Sequence, residues 1–112
     1  MGLKYCIDNA YTMNYILSML FEWDPKKEIL NIAKRGISFD EAKEVFYDPL
    51  HLSILDHRYS CLEERWITLG TTRGRRLLVV AHLYFDEAGE EMIRIISARE
   101  ATAHEQGQYE DV

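Results

Sequence analysis

The residues that carry the most chemical information lie near the C-terminus, where an apolar stretch, Met92 to Ile96, contains Arg94 and leads on to Arg99. Guanidinium groups bind carboxylate and phosphate oxygens through paired N–H donors. Holding such groups near an apolar core is costly unless they are paired or used for binding. The stretch has the pattern of a strand that passes into a helix within two residues, and we predict a site at this junction.

Two side chains farther along the final helix are placed to orient one of these arginines. Glu105 and Tyr109 are four residues apart, so they lie on the same side of a helix. The alternative to phosphate contact is that Arg94 and Arg99 form internal ion pairs, and the residues alone leave both interpretations open. We predict that Glu105 and Tyr109 orient the arginines that contact phosphate.

Arg65 is a third candidate, because it alternates with Ile67 and Leu69 in a segment of strand character. An arginine at the margin of an apolar strand face lays its stem on the core and presents its planar head to an anion. The alternative is a structural salt bridge with Glu63 or Glu64. We favour phosphate binding.

His82 is the natural proton carrier among the candidates, since an imidazole titrates closest to neutral pH. It alternates with Val80 and Tyr84 in the longest predicted strand. A lone histidine is more often hydrogen-bonded in the core or at the surface than catalytic. We therefore name His82 as an acid or base candidate beside this structural alternative.

The first predicted helix carries a polar side. Lys27, Asn31 and Lys34 fall within roughly one 60° sector at 100° per residue, and two isoleucines lie opposite. Such a sector is often no more than a solvated face. Together with Arg35 at the end of the helix, it also forms a basic surface suited to a phosphate backbone.

Composition limits the classes of protein to which the chain can belong. Its 112 residues, 47% of them hydrophobic, are enough for one domain with one core. The net charge of −6 argues against nucleic-acid binding through the overall field, so any RNA site must be a local basic patch. Basic residues cluster at Lys26, Lys27, Lys34 and Arg35, and again at Arg73, Arg75 and Arg76.

Other features favour a soluble protein of a reducing compartment. The longest apolar runs fall well short of the roughly 20 residues that a membrane-spanning helix requires. Cys6 and Cys61 have no pattern of a structural disulfide, and the first residues lack a secretory signal. We predict a cytoplasmic protein that has no membrane association. We also predict no cofactor and no metal, since no cluster of Asp, Glu or His has metal-ligand spacing.

The predicted elements follow the order helix, helix, four strands, helix. Asp24 and Pro25 predict the start of a helix over 25–35, and Gly36 ends it. Ser38 and Glu41 match a capping box for a second helix, which ends before Asp48-Pro49. The four strands are expected at 50–55, 65–69, 77–85 and 92–97, and a second capping box, Ser97 to Glu100, predicts the last helix from about 99 to 110.

Short connections between successive strands favour an antiparallel meander, so the predicted class is α+β. We expect a four-stranded antiparallel sheet packed with two N-terminal helices and one C-terminal helix. The domain should span 21–112, and residues 1–20 should form an N-terminal extension, with Met13 and Met19 as alternative starts. The other interpretation is that 14–20 forms a helical turn that covers part of the sheet.

With these residues the chain resembles one family, the BrnT-type toxins of bacterial type II toxin-antitoxin systems. The resemblance runs from Phe21 to about Glu110, in order and with few gaps. It is carried by Phe21-Glu22-Trp23-Asp24-Pro25, Lys27, Asn31, Lys34, the segment Gly36 to Ala42, Asp48-Pro49, Glu64-Arg65, Gly70, Arg94 to Arg99, Glu105 and Tyr109. At the position of Arg35 the family usually has histidine, and a guanidinium cannot replace a histidine base because it stays protonated.

Membership implies a RelE-like fold and a ribonuclease that blocks translation by cutting RNA. It also implies a BrnA-like partner, a ribbon-helix-helix antitoxin that forms a hetero-oligomer with the toxin. Cleavage through the 2′-hydroxyl requires a proton acceptor, a proton donor and cations that stabilise the crowded phosphate, without a metal. We assign catalysis to Arg65, His82, Arg94 and Arg99, RNA binding to Lys27, Asn31, Lys34 and Arg35, and the supporting role to Glu105 and Tyr109.

The competing hypothesis is a non-catalytic module that only holds a partner, including a degenerate toxin that still binds its antitoxin. The acidic balance of the chain and the arginine at position 35 favour this alternative.

Overall fold

The fold was analysed in a computed structural model, which describes residues 19–56 and 64–110. The expectations for Cys6, Cys61, Glu63 and residues 1–18 fall outside these ranges. The elements are strands β1 Leu20–Trp23, β2 Leu52–Leu55, β3 Arg65–Thr71, β4 Leu77–Glu87 and β5 Glu90–Glu100, helices α1 Pro25–Arg35, α2 Phe39–Lys43 and α3 Ala103–Glu110, and a 3-10 turn Glu44–Tyr47 between α2 and β2.

The strands form one sheet of order β1-β5-β4-β3-β2, and the predicted α+β class is confirmed. The predicted count of four strands was wrong, because β1 joins the sheet as a fifth. β2 to β5 pair antiparallel in succession, whereas β1 pairs parallel to β5, from Leu20 opposite Met92 to Trp23 opposite Ile95. The residues of β1 do not reveal its neighbour, because the parallel pairing depends on a segment some 70 residues away.

Helix α1 begins and ends as its local signals predict. The Asp24 side chain accepts a hydrogen bond from the Lys26 amide at 2.9 Å, and Pro25 occupies the first helical position. Gly36 adopts a left-handed φ of 70° and donates its amide to the Ile32 carbonyl at 2.8 Å. These caps fix both helix ends without help from distant residues.

The second helix is shorter than its apolar stripe suggests. The Ser38 hydroxyl accepts a hydrogen bond from the Glu41 amide at 3.1 Å, as the capping box predicts, but α-helical geometry ends at Lys43 and a 3-10 turn follows. Helix α2 and the 3-10 turn both pack their apolar side chains on one face of the sheet. The buried core contains Ile37, Phe39, Ala42, Val45 and Phe46 from this segment and Leu78, Val80, Ile93, Ile95 and Ala98 from β4 and β5.

The last helix begins later than predicted. Strand β5 continues to Glu100, so the expected helix from 99 and the capping box Ser97 to Glu100 were wrong. The box is formed five residues on: the Thr102 hydroxyl accepts from the Glu105 amide at 3.2 Å, and Glu105 Oε1 accepts from the Thr102 amide at 2.9 Å. Arg99 therefore belongs to the strand.

A bulge in β5 decides which side chains face away from the core. Ala81 pairs with Ser97 and His82 pairs with Ile95, so Ile96 is the extra residue. Side chains alternate between the two faces of a strand, and one extra residue reverses that alternation. Ile95 and Ala98 thus both lie in the core, while Ser97 and Arg99 point to the opposite face.

Within the described ranges, no helix is long and apolar enough to cross a membrane.

Candidate functional site

The face of the sheet turned away from α2 carries arginines on two of its strands. Directly opposed residues on neighbouring strands share a face, so the strand register places Arg65, Arg94 and Arg99 on the same side. Three cross-strand rows on this side are Arg65, Leu83 and Arg94; Ile67, Ala81 and Ser97; and Leu69, Val79 and Arg99.

A cleft of about 260 Å³ opens on this face, between the end of α1, the start of β3 and the end of β5. Three guanidinium groups contribute to its lining. The polar lining consists of Arg35, Asp56, Arg65, Ser97 and Arg99, and the apolar lining of Ile67, Val79, Ala81 and Ala98. Arg35, Arg65 and Arg99 are thus brought together from α1, β3 and β5.

Arg65 is held at the cleft by the residue that follows β2. The Asp56 amide donates to the Arg65 carbonyl at 2.7 Å, and Asp56 Oδ2 lies 3.8 Å from Arg65 Nε. The Asp56 side chain is only 6% exposed. A buried carboxylate requires a positive partner, so this ionic contact keeps the guanidinium group of Arg65 beside Asp56 in the cleft lining.

Arg99 is held by the first turn of α3. Its two terminal nitrogens each donate to one Glu105 oxygen at 2.8 Å, and Glu105 also accepts from Thr102. The hydrogen bonds from Arg99 lower the pKa of Glu105 to about 2 and raise the pKa of Arg99. Both groups are therefore fully charged at neutral pH, and the planar Arg99 head has a fixed orientation.

Arg35 supplies the positive charge of the cleft that is not compensated. Its side chain is exposed at the end of α1, and no carboxylate of the described ranges forms an ion pair with it. Asp56 and Glu105 balance Arg65 and Arg99, so Arg35 leaves the group with one net positive charge. A cleft of this kind attracts an anion such as phosphate.

A larger cavity of about 430 Å³ lies near the β4–β5 turn, between the strand ends. It is lined by Glu22 and Glu90 together with Phe85, Ala88 and Met92. Glu22 is paired with Arg94, so its charge is compensated, and Glu90 adds a negative charge to the lining. The smaller cleft, which three arginines line, is therefore the better candidate for an RNA site.

A sequence profile of one protein family, described as the ribonuclease toxin BrnT of type II toxin-antitoxin systems, matches residues 23–105. The chain belongs to this BrnT family. Its fold is similar to that of the crystallised Brucella abortus ribonuclease toxin BrnT, with a TM-score of 0.54 and 23% identity over 75% of this chain and 97% of the Brucella chain. A comparison with curated proteins gives no match. Membership in a type II toxin-antitoxin family implies a ribonuclease toxin with an antitoxin partner.

In this BrnT family member, Arg94 lies on the same face as Arg65 but outside the cleft. The two arginines flank Leu83 on opposite sides, which separates their strands by about 10 Å. Arg94 Nη1 donates to Glu22 Oε2 at 2.9 Å and does not line the cleft. Arg94 therefore forms an ion pair, as its alternative role predicts, but the pair lies at the surface, since 43% of the Arg94 side chain and 39% of the Glu22 side chain are exposed.

His82 lies in the core and has no exposed surface, which is contrary to the role of an acid or base at an open site. Its Nε2 is 2.7 Å from the Thr68 hydroxyl, which is in turn 2.7 Å from the Ser53 hydroxyl. Burial lowers the pKa of His82 to about 4, so the ring is neutral at pH 7. No phosphate can reach it in this conformation.

Asn31 is buried and does not face an RNA strand. Its amide nitrogen donates to the Ile37 carbonyl at 2.9 Å, and its oxygen accepts from the Ala98 amide at 3.1 Å. β1 ends at Trp23, opposite Ile95, so among the described residues no strand pairs with the outer edge of β5 beyond that point. Asn31 supplies the partner that the Ala98 amide would otherwise lack. Lys27 and Lys34 are exposed, as an RNA-binding role requires.

Tyr109 anchors α3 and does not orient an arginine. Its hydroxyl donates to Asp48 Oδ2 at 2.5 Å and accepts from the Thr71 hydroxyl at 3.1 Å, and burial raises the pKa of the phenol. Asp48 also accepts from the Thr71 amide at 2.9 Å. Of the two predicted supporting residues, Glu105 contacts an arginine of the cleft and Tyr109 holds the helix that carries Glu105.

Sequence reasoning missed Asp56 and Ser97. Asp56 directly follows β2, and the pairing of Leu55 with Trp66 sets it beside Arg65. A carboxylate just beyond a strand end is a usable signal, but its partner is known only once the register of β2 and β3 is known. Ser97 reaches the cleft through the bulge at Ile96, which no local pattern indicates.

Proposed function

We propose that the chain is a metal-independent endoribonuclease toxin that cleaves RNA in the cleft of Arg35, Arg65 and Arg99 and thereby inhibits translation. The observation that carries this proposal is the convergence of three guanidinium groups on one cleft of a ribonuclease toxin family member. The independence from metal rests on these groups, which supply the positive charge that a phosphoryl transition state requires.

The reaction that suits this cleft is attack of the ribose 2′-oxygen on the adjacent phosphorus. The 2′-hydroxyl loses its proton, a new P–O bond closes a 2′,3′-cyclic phosphate, and the bond to the 5′-oxygen breaks, with that oxygen taking up a proton. Arg65 and Arg99 stabilise the negative charge that grows on the phosphate oxygens, because both heads are held in place before the reaction. Arg35 attracts the phosphate.

Proton transfer is the step with the fewest candidate groups. Of the polar side chains that line the cleft, the three arginines stay protonated, which leaves Asp56 and Ser97 as proton acceptors. Asp56 is the stronger base of the two and lies beside Arg65. We assign the proton of the 2′-hydroxyl to Asp56 and the proton of the leaving oxygen to water.

The RNA strand extends from the cleft along the exposed lysines of α1. Glu28 contacts Phe39 of α2, and Lys27 and Lys34 lie about 100–120° round the helix from Glu28, beyond Asn31. They are therefore on the side of α1 turned away from α2, which is also the side of the arginines. We assign Lys27 and Lys34 to the RNA backbone and Arg94 to a weak flanking contact.

The partner in this proposal is a BrnA-like ribbon-helix-helix antitoxin, which forms a hetero-oligomer with the toxin in the cytoplasm. Family membership supports an antitoxin, and the resemblance noted in the sequence supports the BrnA-like type and the RelE-like arrangement of the fold. Bound over the cleft, the antitoxin would block access of RNA to all three arginines at once.

A second candidate is a toxin that binds its antitoxin without cutting RNA. Arg35, in the place where the family usually has histidine, favours it, because the cleft then lacks a side chain that ordinarily exchanges protons near pH 7. The two candidates differ in activity and share the partner.

Induced expression in a bacterial host tests the proposal, with growth and new RNA 5′ ends as readouts. We expect growth arrest and new RNA ends from the parent chain, neither from Arg65→Ala, and folded protein by circular dichroism for both. Harmless expression of the folded parent would support the second candidate. Equal toxicity of parent and Arg65→Ala would show that the cleft is not the site.

A further inference from the structure

Helix α1 is the reverse of an ordinary amphipathic helix, because its exposed side is aliphatic and its buried residue is polar. Three aliphatic side chains on it are among the most exposed in the described ranges: Ile29 at 66%, Leu30 at 68% and Ile32 at 47%. The residue it buries is the polar Asn31. An amphipathic pattern normally indicates that the apolar side faces the core, and here that side faces solvent.

Polar contacts hold α1 in place, so its folded position does not depend on the aliphatic side chains. Glu28 accepts from the Trp23 indole at 3.2 Å and from the Phe39 amide at 2.9 Å. Asn31 adds two further hydrogen bonds, to Ile37 and Ala98. Exposed aliphatic groups that the fold does not need are typical of a surface that binds a partner.

The charge around this surface specifies the partner. Four of the 13 lysine and arginine residues of the chain lie on α1, where Glu28 is the only acid and is occupied by its contacts to Trp23 and Phe39. The rim is therefore basic although the chain carries a net charge of −6. The exposed cations are Lys26, Lys27, Lys34 and Arg35.

We propose that the outer face of α1, formed by Ile29, Leu30, Ile32 and Ala33, is the docking surface for an acidic amphipathic helix of a protein partner. Helix α1 is about 16 Å long, and these four side chains occupy about 6 Å of that length, which suits a helix that crosses α1 and packs its own aliphatic ridge on them. Acidic residues at the edges of that helix pair with the lysine rim. A second copy of the chain would oppose lysine to lysine, and RNA would leave the aliphatic groups without a partner.

The proposal does not rest on nuclease activity, and it assigns the aliphatic side of α1 a role separate from the cleft. The probe is a fluorescein-labelled peptide of about 18 residues, five helical turns, with leucines spaced three and four residues apart and glutamates between them. Its binding to the full chain is followed by fluorescence anisotropy. A scrambled peptide of the same composition and a version with lysine for glutamate test periodicity and charge.

Leu30→Asp and Leu50→Asp form a matched pair, because Leu50 is 63% exposed on a turn away from α1. We expect the acidic periodic peptide to bind, Leu30→Asp to weaken binding at least about tenfold, and Leu50→Asp to leave it unchanged. Leu50→Asp should leave RNA cleavage unchanged, whereas Arg65→Ala should lose RNA cleavage and still bind the peptide normally. Failure of the docking proposal and failure of the nuclease proposal therefore give different patterns.

Several results would overturn the docking proposal. They are absence of peptide binding, equal binding of the scrambled or lysine peptide, and equal loss in Leu30→Asp and Leu50→Asp. Binding to vesicles of phosphatidylserine and phosphatidylcholine that Leu30→Asp abolishes, without peptide binding, would assign the face to a lipid surface. Self-association of the parent chain that Leu30→Asp abolishes would assign it to a second copy.

Discussion

Arg99 and Glu105 face each other through two parallel hydrogen bonds of 2.8 Å, which join the end of β5 to the first turn of α3. Helix α3 has no fully buried residue, so such polar contacts have a large share in holding it to the sheet. The same pair orients one of the three guanidinium groups of the cleft. The attachment of the last helix and the geometry of the site therefore depend on one ion pair.

Replacing Glu105 with glutamine should destabilise the fold modestly and reduce RNA cleavage. The folded pKa of Glu105 is lowered to about 2, so its stabilising contribution is present above the unfolded value near 4.5 and is lost as pH falls through about 2. The pair is partly exposed, and at pH 7 we expect a loss of about 1 kcal/mol in urea unfolding. Glu110→Gln, which removes only an exposed contact to Gln106, is the control. Equal stability of Glu105→Gln and the parent from pH 7 to pH 3 would contradict this account.

Asn31→Ala should destabilise the protein strongly, because it leaves the Ile37 carbonyl and the Ala98 amide without a partner. Two unsatisfied backbone groups predict a loss of roughly 2–4 kcal/mol in the free energy of unfolding. Lys34→Ala, on the same helix and exposed, should stay within about 0.5 kcal/mol of the parent. If Asn31→Ala keeps full stability but loses RNA binding, Asn31 contacts RNA as the sequence first suggested.

The buried His82 should make stability fall as the solution is acidified. Its folded pKa of about 4 lies below the unfolded value of 6.5, so between these values the unfolded chain binds the extra proton. The stabilisation is complete above pH 6.5 and is lost as pH falls towards 4, by on the order of 3 kcal/mol in total. His82→Gln should flatten this slope in urea titrations, with His104→Gln on exposed α3 as the control. An unchanged slope in His82→Gln would show that another group causes the pH dependence.

Elements defined by local chemistry and the antiparallel order of β2 to β5 were predictable from the sequence, whereas the pairing of β1 with β5 and the bulge in β5 were not. Helix α1 has its own caps, and its bounds are those predicted. The last helix had two competing capping boxes, from Ser97 and from Thr102. Pairing of β4 with β5 continues to Leu78 opposite Glu100, and this ladder excludes the first box.

The candidate site could be predicted as a set of residue types but not as an arrangement. Arg65 was identified from its strand context and Arg99 from its place at the strand-to-helix junction, and the structure brings them together with Arg35. Whether Arg94 and His82 reach the same cleft depends on the register of three strands, which no single segment of sequence encodes. The burial of Asn31 depends on the open edge of β5, a feature of the assembled sheet.

Removal of divalent metal should leave RNA cleavage unchanged. The charge that stabilises the phosphate comes from guanidinium groups, and attack by the 2′-oxygen gives a 2′,3′-cyclic phosphate and a 5′-hydroxyl end. We expect the same rate in excess EDTA and in MgCl₂ at equal ionic strength, with products that resist 3′ ligation until the cyclic phosphate is opened and the remaining phosphate is removed. Loss of cleavage in EDTA, or a 5′-phosphate product, would indicate a metal-activated water instead.

Cleavage of a 5′-labelled RNA by purified parent, Arg65→Ala and Arg94→Ala proteins tests the central claim most directly. Arg65 lines the cleft and Arg94 does not, although both are arginines on the same face of the sheet. The account predicts that Arg65→Ala lowers the single-turnover rate at least about 100-fold, while Arg94→Ala lowers it by less than about tenfold. A larger loss of cleavage rate in Arg94→Ala than in Arg65→Ala, with both variants folded, would contradict the account. It would place the site on the same face of the sheet but around Arg94 and Glu22.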